Sequence, residues 1–415
     1  MKVVLACYGT RGDVEPCLAI GRELLRRGHD IRIAITPDLV GFAEAAGLSA
    51  VACGPDFKSF DDTQRNLLPA YDVRILLQIP RLIRLTHEAR ALMTQTLEMT
   101  CATLMAMVEG ADLLVTYQLL EETALNVAEY YQIPLATVHV TPKRANSQIR
   151  SATKRNERRN YRGMFKKIEN VQRRELGLPE ASSPTPQRIA ERGSLEIQAY
   201  DEVCFPGLAT EWAKWDGQRP FVGALTLGLA TDADEAVASW IAAGTPPIYF
   251  GFGGSPVQSP AEAIVMIGAA CAQLGERALV CAAANDFSNI PHMDHVKVVD
   301  AMNYATILPA CRAAVHHGGA GTTAASLRAG LPTLILWTWP DQAVWATQVT
   351  RLKVGAARRF STATRESLVA DLSQILAPEY AARARELSTR MTKPTESVTN
   401  AADLLEKFVC SKCFR

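Results

Sequence analysis

The sequence is short of net charge: 44 basic side chains stand against 43 acidic ones and leave +1. Without a global field, nucleic acid is not an expected partner, and any basic surface must be local. Long apolar runs are missing too. No stretch reaches the ~20 apolar residues that span a bilayer, since Gly330 to Pro340 is short and runs straight into Asp341. After Lys2 only a brief apolar run precedes Arg11 and Asp13, which is too little for the core of a secretory signal, so the reading is a cytosolic protein. Cysteine is not scarce, but metal-ligand spacing is. Cys410 and Cys413 form one C-x-x-C with no second Cys or His pair nearby, whereas structural zinc needs four ligands, so no metal is expected. Cys7, Cys271, Cys281 and Cys311 lie in apolar periodic segments, where cysteine behaves as a small buried hydrophobe.

What is present is length and pattern. At 415 residues and 48% hydrophobic, the chain can build two domains with separate cores. Lys2 to Cys7 reads as a strand, Tyr8 to Asp13 as a loop, Val14 to Arg27 as a helix ended by Gly28, and Asp30 to Thr36 as a second strand. Such a β-loop-α-β unit implies parallel strands. The pattern recurs at Asp112 to Tyr117, Glu121 to Tyr131 and Pro134 to Val140, giving an open doubly wound sheet whose ligands bind at strand carboxyl ends. Leu68 to Glu109 reads as long and helical. Asp216 to Glu235, rich in Gly and small residues, reads as a linker between an N-terminal domain at 1–215 and a C-terminal one at 236–395, with 396–415 as a final helix and tail. Strands at Pro246 to Gly253, Arg277 to Ala282, Val296 to Val299, Ala313 to His316 and Thr333 to Trp337 make a second doubly wound sheet.

Lys143 to Arg174 holds twelve basic and two acidic residues. It reads either as a solvated helical face or as a contact with an anionic membrane surface. Val315 to Thr323, VHHGGAGTT, is a strand ending in a glycine-rich turn that opens a helix. Free N–H groups and a helix N-terminus there suit a diphosphate, with Thr322 and Thr323 as further donors. It is neither the Walker pattern nor the dinucleotide fingerprint. Adjacent strand-end residues point opposite ways, so either His316 or His317 faces the ligand. Asp341 and Gln342, one β-α unit further on, can serve neighbouring sugar hydroxyls, although Asp-Gln after Pro is also a common helix start. Asp13, before Val14, Glu15 and Pro16, reads locally as an N-cap. Asp232 and Asp234 form an Asp-x-Asp in the linker and read as a solvated charge cluster.

GTRGDVEP at 9–16, HHGGAGTT at 316–323 and PDQ at 340–342 resemble the actinobacterial inverting glycosyltransferases that modify glycopeptide antibiotics, sterols and mycobacterial cell-wall glycolipids. GFAEAAGL, RRELGLP, RGSLEIQAYD, RPFVG, AMNYA and LRAGLPTLILWTWPDQ are most similar to the mycobacterial members, including enzymes that attach rhamnose or other deoxysugars to glycopeptidolipids and phenolic glycolipids. The resemblance implies a GT-B fold of two facing Rossmann-like α/β domains, with acceptor in the first and nucleotide sugar in the second. It implies that His317, Gly319, Gly321 and Thr322 bind the diphosphate, that Asp341 and Gln342 meet the donor sugar, and that Asn303 lies where the base binds. The residue matching Asp13 is the proposed general base in those relatives, a role compatible with capping. Relatives commonly read Gly-Phe-Gly-Ser after the first C-terminal strand; here Gly251-Phe252-Gly253-Gly254-Ser255 leaves Ser255 as the substitute phosphate contact or without that role. Thr10 and His139 are candidate acceptor-side residues, and His29 reads as structural. The final helix, Ser397 to Phe408, is implied to cross back onto the N-terminal domain.

The expected activity is therefore inverting transfer of a hexose or deoxyhexose from a dTDP- or UDP-sugar co-substrate to a hydroxyl of a lipid-linked acceptor, with no other cofactor. A nucleotide-sugar epimerase on the same architecture and a non-catalytic nucleotide-sugar or lipid-binding protein are the rival readings.

Overall fold

In the computed structural model, which describes residues 1–57, 79–144, 146–147, 166–215, 217–254, 259–283, 285 and 291–413, the KVVLAC run forms β1 (Lys2–Cys7). Both its faces are covered, hence its nearly unbroken apolar character. It pairs in parallel with β2 (Asp30–Ile35), Val3 opposite Ile31 and Cys7 opposite Ile35. With β3 (Ala50–Ala52), β4 (Leu113–Tyr117), β5 (Leu135–His139) and β6 (Leu195–Gln198) it makes a six-stranded parallel sheet of order β3-β2-β1-β4-β5-β6. A second parallel sheet consists of β7 (Ile248–Gly251), β8 (Ala278–Cys281), β9 (Val296–Val299), β10 (Ala313–His316), β11 (Thr333–Trp337) and β12 (Gly355–Arg359), ordered β12-β11-β10-β7-β8-β9. The two orders are equivalent: in each sheet the chain works outward from the first strand and then reverses. The reversal falls between β1 and β4 in one sheet and between β7 and β10 in the other, the places where doubly wound sheets open a crevice for ligands.

The residues group into two compact units. The first comprises Met1–Ala199, Glu211–Leu225 and Val398–Arg415; the second comprises Tyr200–Thr210 and Thr226–Ser397. In the first, Val4, Ala6, Leu114 and Leu135 pack against Leu104, Val108, Ala124 and Leu125. The latter come from the helices Ile79–Val108 and Glu121–Tyr130. The reading of Leu68 to Glu109 as helical holds from Ile79; its first residues lie outside those described. In the second unit, Ile248, Phe250, Val280, Val315 and Leu334 supply one face of the core, and Tyr249, Leu279, Cys281 and Ala314 the other.

Among the described residues no helix is long and apolar enough to cross a membrane. The basic stretch is only partly described, since 148–165 fall outside the described residues. Of its described members, Arg144 and Arg173 are buried. Arg173 bonds Glu129 at 2.6 Å, so these two are internal ion-pair partners rather than part of a solvated or membrane-facing surface.

Candidate active site

The first helix begins three residues earlier than its sequence suggests. α1 spans Arg11–Arg26, with Thr10 rather than Asp13 at its N-cap. Asp13 is the third helical residue, and its Oδ2 accepts both the Thr10 N–H and the Thr10 hydroxyl at 2.7 Å. This is the acidic half of a capping box, which fixes the carboxylate at the carboxyl end of β1, beside the β1/β4 reversal. Gly9, at φ +135°, makes the arrangement possible: a Cβ there would come within 2.5 Å of Asp13 Oδ2. Thr10, expected on the acceptor side, is half-buried and its hydroxyl orients Asp13.

His139, the other acceptor-side candidate, is fully buried at the end of β5. Its Nε2 lies 2.6 Å from Glu121 Oε1, and its Nδ1 accepts from the Gln198 amide at 3.3 Å. Arg144 makes a bidentate contact with Glu121 at 2.8 and 2.9 Å and also pairs with Glu196. Arg219 donates to Glu196 at 3.0 Å and lies over the rings of Trp212 and Trp215. Burial pushes the Glu121 pKa upward, but Arg144 and His139 override it and hold the carboxyl near about 2. In the next residue, Glu122, burial and then the Glu121 charge outweigh the pull of Arg144 and push the carboxyl up to about 7. This buried network joins β5, β6 and the helix after β4, and it was not legible in the sequence. The LEIQ spelling of β6 hides it, because Glu196 and Gln198 look like solvent-facing residues yet are fully buried.

In the second unit the glycine-rich turn follows β10. His316 is buried, and its Nδ1 accepts from the Gly318 N–H at 3.0 Å. Burial holds its pKa well below the usual histidine value. His317 is half-buried and points the other way, so it is the histidine that faces the loop. Its backbone N–H reaches the Gly251 carbonyl at 3.2 Å, and its Nδ1 lies 3.4 Å from the same oxygen. A Cβ on Gly253 would meet the ring at 2.5 Å, and one on Gly319 would meet Nε2 at 2.5 Å. The ring thus fits between two glycines across the β7/β10 reversal. Gly318, at φ +93°, approaches Ile335 too closely for any side chain.

Gly319 is the N-cap of the helix Ala320–Arg328, whose first turn has no side-chain cap and no acidic residue. The N–H groups and the dipole of such a turn suit an anion. A Cβ on Gly321 would meet nothing within 4 Å, which leaves that approach open. Thr322 is half-buried, whereas Thr323 is buried and donates its hydroxyl to Gly319 O at 2.8 Å. Of the two threonine hydroxyls expected as donors, Thr323 is therefore committed to the backbone. Ser255 lies outside the described residues.

The remaining candidates are placed as follows. Asp341 is exposed in the first turn of the helix Pro340–Arg351. Gln342 is buried, and its Oε1 accepts from the N–H groups of Thr338 at 2.8 Å and Trp339 at 3.0 Å. Asn303 caps the helix Tyr304–Ile307 through Ala305 N–H at 3.0 Å and donates to Gly228 O at 3.2 Å. Its backbone N–H meets Asp234 Oδ1 at 2.8 Å. Asp234 also takes the Thr231 N–H and hydroxyl at 2.9 and 2.8 Å, so it is a local cap rather than a solvated charge. Among the described residues no cluster of His, Cys, Asp and Glu could hold a metal ion.

Two parallel six-stranded sheets, each with helices around it and each with a glycine-containing turn at its reversal, define a GT-B glycosyltransferase architecture. Comparison with known proteins agrees. Residues 3–149 match the glycosyltransferase family 28 N-terminal domain, and residues 268–404 match the erythromycin biosynthesis protein CIII-like C-terminal domain. An uncharacterized glycosyltransferase of Mycobacterium bovis is 56% identical over 98% of this chain and 98% of its own. The calicheamicin glycosyltransferase CalG4 superposes with a TM-score of 0.71 at 19% identity, covering 99% of this chain and 98% of that one. The glycosyltransferase VinC, solved in complex with dTDP, gives 0.67 at 18% identity, covering 99% and 100%. The chain belongs to the glycosyltransferases that combine these N- and C-terminal domains.

Proposed function

We propose that this glycosyltransferase carries out inverting transfer of a hexose or deoxyhexose, such as rhamnose, from a dTDP- or UDP-sugar to a hydroxyl of a lipid-linked acceptor. The observation that carries the reading is the placing of a held carboxylate, Asp13, at one sheet reversal and of an uncapped helix N-terminus with His317 at the other. Asp13 removes the acceptor proton as its oxygen attacks the anomeric carbon, and the 317–322 turn stabilises charge developing on the departing diphosphate. Asp341, exposed beside that turn, meets the sugar hydroxyls. Gln342 contributes by fixing the Thr338–Trp339 backbone. The dTDP bound by VinC supports a thymidine diphosphate donor, and the lipid-linked acceptor rests on the resemblance of the sequence motifs to those of glycolipid-modifying glycosyltransferases. The enzyme works in the cytoplasm, and exposed Lys143, Lys166 and Lys167 favour transient contact with an anionic membrane surface.

The deciding experiment incubates the enzyme with a panel of nucleotide sugars and a mycobacterial lipid extract, with products read by mass spectrometry. A sugar-lipid adduct formed only with enzyme supports the reading. Donor isomerisation without lipid would make the protein an epimerase, and donor binding without consumption would make it a binding protein. Transfer is expected to survive EDTA, because N–H groups, a helix dipole and His317 do the neutralising. Loss restored by Mg²⁺ or Mn²⁺ would overturn that part of the scheme.

A further inference from the structure

The His317 ring is oriented by a group that can only accept. A carbonyl oxygen has no proton, so the contact between Nδ1 and Gly251 O at 3.4 Å requires the hydrogen on Nδ1. In a neutral imidazole the other nitrogen then carries a lone pair. Nε2 has no hydrogen-bond partner among the described residues, and its edge of the ring lies between Gly253 and Gly319 at the mouth of the phosphate turn. A lone pair facing a phosphate oxygen would repel it. Resting and bound states therefore differ by one hydrogen on this atom.

We propose that His317 takes up one proton from solvent when a nucleoside diphosphate enters the turn, and holds the diphosphate as an imidazolium through Nε2–H. The proton adds to the Nε2 lone pair, no bond of the ligand is broken, and the proton returns to solvent when the diphosphate leaves. The inference rests on the reading of 317–322 as the diphosphate site.

The surroundings fit this cycle. Burial pushes the resting pKa of His317 below the usual histidine value, against the opposing pull of Gly251 and Asp341. The ring thus starts neutral near pH 7, and the negative charge of an arriving diphosphate raises its proton affinity. The titratable groups facing it are His316, which is buried and neutral, and Asp341, from the helix Pro340–Arg351. Neither the Gly251–Gly254 turn nor the first turn of Ala320–Arg328 brings another. The sign follows by linkage. A group whose pKa rises on binding leaves affinity flat below the free pKa, costs tenfold per pH unit between the free and bound values, and leaves it flat again above both.

Isothermal calorimetry of dTDP and UDP at pH 8.5, in buffers of contrasting ionisation enthalpy, reads the proton count directly. At that pH the terminal phosphate, with a second pKa of about 6, is already fully ionised. The expected result is uptake approaching one proton per nucleotide, with affinity falling toward tenfold per pH unit between pH 7 and 9. In His317→Gln, nucleotide should still bind, more weakly, with no proton uptake and a flat pH profile. Binding of wild type without uptake would overturn the proposal, because the ring would have switched tautomer and given up Gly251. Undiminished uptake in His317→Gln would overturn it by assigning the proton elsewhere. If neither nucleotide binds, the diphosphate-site reading itself fails, which is distinct from binding without linkage.

Discussion

Asp13 is held so firmly that its two roles can be separated by substitution. Asp13→Asn keeps an acceptor for Thr10 but cannot take a proton, so turnover should fall by ~10²–10⁴ while folding and nucleotide affinity are kept; near-normal transfer would reduce Asp13 to a cap. Gly9→Ala probes the same carboxylate from behind. Its Cβ would displace Asp13 Oδ2 from a distance of 2.5 Å, and misplacement on the ångström scale costs up to ~10²-fold in rate. The expected pattern is a lower kcat with dTDP affinity unchanged. Removing His317 should instead act on binding: His317→Ala is expected to weaken dTDP by about 1.5–3 kcal/mol, as for a hydrogen bond to a charged group. The positions of Asp13 and the 316–323 turn just past strand ends were legible because glycines and charge mark the ends of apolar strands. What the sequence did not reveal is the internal hydrogen bonding of His139, Gln342 and Asn303. Their donors and acceptors suit a ligand, but the same atoms serve Glu121, the 338–339 backbone and Ala305. Spelling alone does not distinguish a polar group turned outward from one used in a cap.

At the level of elements, strands buried on both faces announced themselves as apolar runs, whereas β3, β6 and β12 did not. β3 is three residues long and partly exposed. β12, GAARR, mixes small and charged residues at a sheet edge. β6 carries its Glu and Gln inward, where the partners lie 52 and 59 residues away in sequence. That network should govern stability. Arg144→Met leaves Glu121 and Glu196 buried without their shared cation, and a loss of about 3–5 kcal/mol is expected in urea unfolding. Glu121 itself is depressed, so its contribution is complete above the ordinary value of 4.5 and is lost as pH falls toward about 2. Glu122 has the opposite sign. Its raised pKa means that ionisation, as pH rises from about 4.5 through 7, favours the unfolded chain. Glu122→Gln should therefore raise the melting temperature at pH 8 and leave it unchanged at pH 4; an equal effect at both pH values would show that burial of Glu122 is not the cause.

For the molecule as a whole, the two-sheet plan followed from the recurrence of strand, turn and helix and the return of the final helix to the first unit from the family resemblance, while the place of Tyr200–Thr210 followed from neither. Tyr200–Thr210 belongs with the second unit, and Val398–Arg415 belongs with the first. In the latter segment Ala401, Ala402 and Leu405 are fully buried. Arg27 pairs with Asp403 and Glu406 at 2.7 Å, and His29 with Glu406 at 2.7 Å. Ending the chain at Ser397 should lower the unfolding temperature of the first unit well before that of the second, a difference that limited proteolysis along a thermal ramp would resolve. The same arrangement orders events during synthesis. The first sheet leaves the ribosome before its last helix exists, and at ~5–20 residues per second the intervening 226–397 take on the order of ten to thirty seconds to emerge. Over that interval the nascent first unit lacks Asp403 and Glu406, the partners of Arg27 and His29, and the apolar cover of Ala401, Ala402 and Leu405. The unit begun first is the one completed last.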